Sequence, residues 1–312
     1  MAAFDSKQLE TTIGVSTVFD TEFTMLSGKS KIQEWYEEDL PYGDLSSEIL
    51  EIGQENVRIL FRSRGEMVVA GTEIAGEVLE HAGILVESLI PSGQKGSPGH
   101  LILSALGPAA SIHMAWRICL NLLEYSSGIA TKASRLLDAA HLSKPGIAVN
   151  GTRKHIPGLR RFATDAARAG GVLPHRLGLS ESILVFDQHL VLIGGVKALA
   201  NRLGELKAKV PGKNIVVELK GGPSLEEEAS LLARSGVDGL QFDKVRPEEL
   251  SGLLTKLRLE NSKLIFFVTG GIDEDNIGQY AATGVDAIVT SAVYHAGPAD
   301  IGAQILPLAG DH

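Results

Sequence analysis

The 312 residues carry 38 acidic and 29 basic side chains, a formal net charge of −9, which argues against nucleic acid as the main partner because phosphate backbones need a basic face. With 44% hydrophobic and 21% charged residues the chain can bury a sizeable core, and global disorder is excluded. One cysteine, Cys119, rules out an intramolecular disulfide and leaves no zinc-ligand spacing, in keeping with a reducing cytoplasm.

The opening stretch MAAFDSKQLETT lacks a basic start followed by an apolar run, so no signal peptide is expected. No apolar run approaches the ~20 residues of a transmembrane helix. Residues 1–29 read as an extension that packs as an arm on a neighbour. Residues 30–50 predict a helix ending at Pro41, then a turn in which Gly43, Asp44, Ser46 and Ser47 supply turn and N-cap chemistry. VRILFRSRGEMVVAG reads as two strands around Arg64-Gly65, IAGEVLEHAG as a short helix, and ILVESLI and HLILSAL as further strands about an exposed loop, PSGQKGSPGH. Residues 108–140 predict a long helix begun by Pro108, with Ile112, Ala115, Trp116, Cys119, Leu120, Leu122 and Leu123 on a wide apolar face.

From about residue 147 the pattern changes. Short apolar runs (IAVNGTRK, GVLPHR, SILVF, NIVVELK, DGLQFDK, LIFFVTGG, DAIVTSA) alternate with amphipathic helical stretches. Continuous apolar strands between helices imply a parallel α/β sheet, and six or seven units imply a barrel, incomplete or distorted.

Such a barrel carries its chemistry where strands end. There lie Arg153 and Lys154, His175 and Arg176, Glu218, Asp243, the run Thr269-Gly270-Gly271, and Ser291. Glu218, Asp243, Thr269 and Ser291 are spaced by 25, 26 and 22 residues, about one strand–helix unit each, which points all four at one rim. The arginines suit carboxylate or phosphate through their planar forks. Glu218 and Asp243 suit a hydroxylated sugar or Mg²⁺. The TGG turn, opening into a helix at DEDNIGQY, would offer backbone amides to a phosphate. Other residues read more plainly: His113 and His189 as packing or interface, Cys119 as core, and Glu226–Glu228 as an acidic helix start.

The motifs EDLPYGDLSS (38–47), RICLNLLEYSSGIAT (117–131), TRKHIPGLR (152–160), HRLGLSESILVFDQH (175–189), GVDGLQFDKVRPEEL (236–250) and TGGIDEDNIGQYAATGVDAI (269–288) resemble the quinolinate phosphoribosyltransferase family. The resemblance implies an N-terminal α/β sandwich with a helical linker (30–140) and an open, TIM-like α/β barrel of the type II phosphoribosyltransferase kind (141–312), whose tail returns to the first domain. It implies a homodimer or assembly of dimers. The implied reaction transfers phosphoribosyl from phosphoribosyl pyrophosphate (PRPP) to quinolinate with Mg²⁺, followed by loss of CO₂. By motif position Arg117 (from the neighbouring subunit), Arg153, Lys154, His175 and Arg176 match the acceptor site. Glu218 and Asp243 match acids near ribose and metal, and Thr269, Gly270, Gly271 and His295 match phosphate-binding positions.

Three departures stand out. Phe186 replaces an active-site lysine, Ser291 a glycine of the second phosphate turn, and Trp116 a glutamate beside Arg117. Together with HMAWR (113–117), EYSSG (124–128) and GPADI (297–301), these resemble the ModD branch of the family, associated with molybdenum transport. Three readings follow: a PRPP-dependent transferase of an anionic heteroaromatic acid, with quinolinate itself and NAD synthesis as the alternative; a molybdenum-associated accessory protein without turnover; and a barrel enzyme using Lys154 as a Schiff-base amine.

Overall fold

The computed structural model describes residues 31–308; the extension expected at 1–29 lies outside them. Residues 31–39 are helical and stop ahead of Pro41. Asp44 then caps a short helix, Leu45–Ile49, its carboxylate accepting from the amides of Ser46 and Ser47. β1 (Asn56–Ser63) alternates, burying Val57, Ile59, Phe61 and Ser63. β2 (Met67–Val68) follows closely, yet the two do not form the hairpin that their spacing about Arg64-Gly65 suggests. After the helix Thr72–His81 come β3 (Leu85–Leu89), β4 (Lys95–Gly96) and β5 (Leu101–Pro108). β2 pairs with β4, a bridge inside the loop read as exposed, where Gly96 is buried.

β1 is a central strand. It pairs antiparallel with β5 on one side and with β13 (Ile301–Pro307) on the other, in the order β13-β1-β5-β3. Ile59, Phe61, Leu79, Ile102, Leu103, Ile112 and Leu123 lock the helix Thr72–His81 and the start of the long helix onto this sheet. The long helix, Ala109–Ser143, takes Pro108 as its N-cap. Its first half belongs to that core, while Ala133, Leu136 and Ala140 join the barrel core. At Gly128 it packs so closely that an added Cβ would lie 2.1 Å from the Gly297 carbonyl oxygen.

The barrel strands are β6 (Ala148–Gly151), β7 (Leu173–Pro174), β8 (Ile183–Val185), β9 (Ile215–Lys220), β10 (Gly239–Asp243), β11 (Ile265–Thr269) and β12 (Ala287–Thr290). They are parallel in the order β7-β6-β12-β11-β10-β9-β8, a seven-stranded curled sheet left open between β7 and β8. Helices cover the outer face, where Leu203, Val217, Leu219, Leu232, Phe242, Leu257, Phe266 and Ile288 form the core. At the strand starts, Asp238 accepts from the amide of Ile215 and Asp286 from that of Phe266, and each is also ion-paired, with Lys207 and Arg258 respectively. The repeated GVD is therefore a stabilising device at the end of the barrel away from the rim. The helix expected over DEDNIGQYAATG is only Ile277–Ala281, because Asp273–Asn276 form a braced turn instead.

Two glycines separate packing from propensity. Gly204 sits exposed in the helix Gly195–Lys209 with open space at its Cβ position, so Gly204→Ala should stabilise by up to about 1 kcal/mol. Gly128→Ala meets backbone and should destabilise by about 1–3 kcal/mol despite the same propensity gain. Urea unfolding of both variants checks the opposite signs.

Candidate active site

Alternation along the barrel strands decides what faces the interior. Val217 and Leu219 point into the outer core, so Glu218 points inward. Register then places Gln241 and Phe267 in one layer with Glu218, continued by Ala287 and Ala148. The next layer, nearer the rim, holds Lys220, Asp243, Thr269, Val289 and Asn150. Glu218 is thus one layer deeper than Asp243, which refines the single rim suggested by the spacing.

Glu218 accepts a hydrogen bond of 2.5 Å from the Gln241 side-chain amide. Burial raises its pKa, the Gln241 bond opposes this, and the nearby Asp243 raises it further. Lys220 binds Asp187 at 2.5 Å, and that carboxylate, then Asp243 and Glu218, raise the lysine pKa. Gly270 has φ +95°, and a Cβ there would lie 2.5 Å from Asp243 Oδ1 and Lys244 Cγ and 2.9 Å from the Lys244 amide nitrogen, so its left-handed backbone and the close approach of the Asp243-Lys244 segment fix this position of the TGG turn as glycine.

Thr269, Gly270, Gly271, Ser291, His295, Lys154 and Thr152 line one cleft of about 170 Å³. The buried Thr290 hydroxyl binds its two turns together, donating to the Ile272 carbonyl and accepting from the Ala292 amide. The TGG turn does not open directly into a helix, since Ile277 begins only six residues after Gly271. Any anion held there meets loop amides and side-chain donors, with no helix dipole behind the turn. A second space, about 340 Å³, lies between the long helix and the segment 295–300, and His295 borders both.

Arg153, His175 and Arg176 follow β6 and β7. The Arg176 guanidinium is buried and donates to the Ser182 carbonyl at 2.8 Å, tying the end of β7 to the start of β8. Burial, then the neighbouring Arg153 charge, lower its pKa. The Nε atoms of both arginines are buried, with no hydrogen-bond partner among the described residues. His175 packs edge-on against Phe267, ring centroids 5.4 Å apart, and burial followed by Arg176 lowers its pKa to about 4.

Phe186 follows β8, one residue beyond the Val185–Val217 pair and so level with Glu218. Its ring stacks on His189 at 5.8 Å, and its amide donates to His189 Nδ1. Arg117 is not brought to the barrel mouth within the chain. It is exposed on the part of the long helix that packs on the N-terminal core, its guanidinium 4.1 Å above the Trp116 ring.

Gln241 escaped the sequence reading because GLQF reads as a continuous apolar strand. A lone glutamine inside such a run was the available signal.

A parallel barrel with a rim of arginines, inward acids and a donor-lined cleft is an enzyme architecture for phosphorylated and anionic small molecules. Residues 44–127 match the family model for the quinolinate phosphoribosyl transferase N-terminal domain, and 129–303 that for its C-terminal domain. The chain is 32% identical to the ModD protein of Pasteurella multocida, over 87% of this chain and 95% of that one. It is 28% identical to the nicotinate-nucleotide pyrophosphorylase (carboxylating) of Homo sapiens, over 86% and 88%. Among solved structures, the nicotinate-nucleotide pyrophosphorylase from Francisella tularensis superposes with a TM-score of 0.80 at 27% identity, covering 89% of this chain and 95% of that one. The chain belongs to the quinolinate phosphoribosyltransferase family, whose enzymes are pentosyltransferases.

His175 also sets a pH dependence. Its folded pKa, near 4, lies below the unfolded value of about 6.5. Between those values the unfolded chain takes up a proton that the folded chain refuses. Stability from this group is complete above pH 6.5 and falls by roughly 3 kcal/mol by pH 4. Unfolding free energies at pH 7 and pH 4.5 should show a drop that is smaller in His175→Gln.

Proposed function

We propose that this chain is a PRPP-dependent phosphoribosyltransferase acting on an anionic heteroaromatic acid, the pyrophosphorylase type of reaction for which its ModD relatives are named. The observation that carries this is the Arg153–Arg176 pair, two neighbouring guanidiniums with buried, unpartnered Nε atoms beside a donor-lined cleft. Burial and the neighbouring Arg153 charge outweigh the nearby Glu181 carboxylate at Arg176, so a further anion is favoured beside the pair. That preference favours a ligand-binding protein over a bare scaffold. Lys154 lines the same cleft as the TGG turn, beside backbone and side-chain donors, which favours an anion contact over Schiff-base chemistry.

In this reading the cleft holds the sugar phosphate through Thr269, Gly270, Gly271, Ser291, His295 and Lys154. Arg153, Arg176 and His175 hold the acceptor carboxylate and ring, with Phe186 as an apolar wall. The acceptor ring nitrogen donates its lone pair to C1 of the ribose, the C1–oxygen bond breaks, and pyrophosphate departs with those electrons. Glu218 and Asp243 stabilise the positive charge that develops at the sugar. Among the described residues no cluster of three or more ligand side chains could cage a metal ion. Two carboxylates do suit Mg²⁺ carried in by a diphosphate, which characteristically keeps one or two protein ligands. Bound there, Mg²⁺ would neutralise the leaving pyrophosphate. Turnover of PRPP with Mg²⁺ and a panel of heteroaromatic acids tests the reading, and failure to bind PRPP would remove it.

Quinolinate is the second reading, favoured by the shared TRK and HR motifs and by the names of the nicotinate-nucleotide relatives. Phe186 separates the two, because an aromatic ring cannot pair with a second carboxylate. Quinolinate-dependent nicotinate mononucleotide formation should be weak. Phe186→Lys should raise kcat/KM for quinolinate roughly 10- to 100-fold, the worth of one charged hydrogen bond.

Arg117 belongs to the site only if a second subunit supplies it. Arg117→Ala and Arg153→Ala homodimers should each be inactive, and mixing them should restore activity in heterodimers that contain one intact site. No recovery under conditions of proven subunit exchange would rule out a second subunit as the source of Arg117.

A further inference from the structure

Gln241 is the interior residue for which the site described so far has no use. It lies on β10, is 3% exposed, and sits between Glu218 and Phe267 in the deeper layer. Its amide nitrogen is committed to Glu218, and its amide oxygen is buried with no hydrogen-bond partner among the described residues. A primary amide fixed through its nitrogen offers only an acceptor at its other end. Leaving that oxygen unmatched costs free energy, as does any buried polar atom without a partner. The floor around it is asymmetric. Glu218, Gln241 and Phe267 are large side chains, while Ala287 and Ala148, on the side of the sheet that leads to Arg153 and His175, are small. Phe267, which His175 touches edge-on, stands between the glutamine and the arginine pair.

We infer that Gln241 selects the acceptor: the pocket takes a planar heteroaromatic monocarboxylate that also carries a hydrogen-bond donor (a ring N–H, an amino group or a hydroxyl) on the edge opposite its carboxylate-binding arginines. The carboxylate faces Arg153 and Arg176, the ring covers Phe267, and the donor meets Gln241 Oε1. Phe186, level with Glu218, closes the same layer without offering a charge to a second carboxylate. This deepens the proposed function and rests on its assignment of Arg153 and Arg176 to the acceptor. It adds a requirement that neither the arginines nor Phe186 impose.

The test is direct binding, by titration calorimetry on the full chain, of pyridine-3-carboxylate against its 6-amino, 6-hydroxy and 5-amino derivatives, whose donors lie away from the carboxylate. PRPP binding in the presence of Mg²⁺ is measured separately. At least one donor-bearing acid should bind roughly tenfold or more tighter than the unsubstituted one, as one matched hydrogen bond allows. Gln241→Met keeps the side-chain length and removes the acceptor, so it should abolish that preference while pyridine-3-carboxylate still binds. Thermal unfolding of the variant confirms that it is folded. Equal binding of all four acids, binding of none, or a preference that survives in Gln241→Met overturns the inference. So does a loss of PRPP affinity in Gln241→Met with the acid preference intact, which would assign the amide oxygen to the sugar. Failure of the natural protein to bind PRPP would sink the proposed function instead, and the acid titrations read independently of it.

Discussion

A parallel sheet of seven strands that does not close leaves two free edges, and here the Arg176 guanidinium helps to tie them. By donating to the Ser182 carbonyl it spans the gap between the end of β7 and the start of β8. The same side chain keeps a second nitrogen buried and unmatched beside Arg153. One residue therefore helps to brace the connection between β7 and β8 and keeps an unmatched donor beside Arg153. The positions of His175 and Phe186 follow, since they leave the sheet at those two edges.

Much of this was legible in the sequence because period and punctuation are local properties. Seven apolar runs became seven strands, and Pro108 began the long helix as its fixed φ allows. The ends of those runs carried the rim residues that the alternation of strand and helix predicts. Pairing partners were harder to read, since they depend on chain segments far apart. The Arg64-Gly65 segment has the spacing of a hairpin, yet β1 is drawn to β5 and β13, which bury its alternating face more completely. The TGG turn failed differently: Asn276 accepts from the Asp273 amide and donates to the Gly271 carbonyl, and this local brace displaces the helix start that the sequence suggests. Layer depth was invisible without register, so Glu218 and Asp243 looked equivalent and Gln241 went unnoticed.

The barrel divides its labour along the strand axis. Asp238 and Asp286 fix strand starts by accepting backbone amides and pairing with Lys207 and Arg258. At the other end the polar side chains are left under-satisfied, with buried unmatched atoms on Arg153, Arg176 and Gln241. Stability contributed at one end offsets polar groups held ready at the other, and the cost of that readiness is local.

The pairing of β1 with β13 has a consequence for how the chain is made. Arg64 and Asp300, the residues that flank this pairing, are 236 positions apart, and every barrel strand is synthesised between them. During vectorial synthesis the N-terminal sheet must therefore wait, with one side of its central strand open, while the whole barrel emerges and folds. An open strand edge is a template for unwanted pairing between nascent chains. Neighbouring ribosomes on one messenger hold such edges close together, so the interval between making β1 and making β13 is the stage at which an unpaired β1 edge is most open to pairing with another chain.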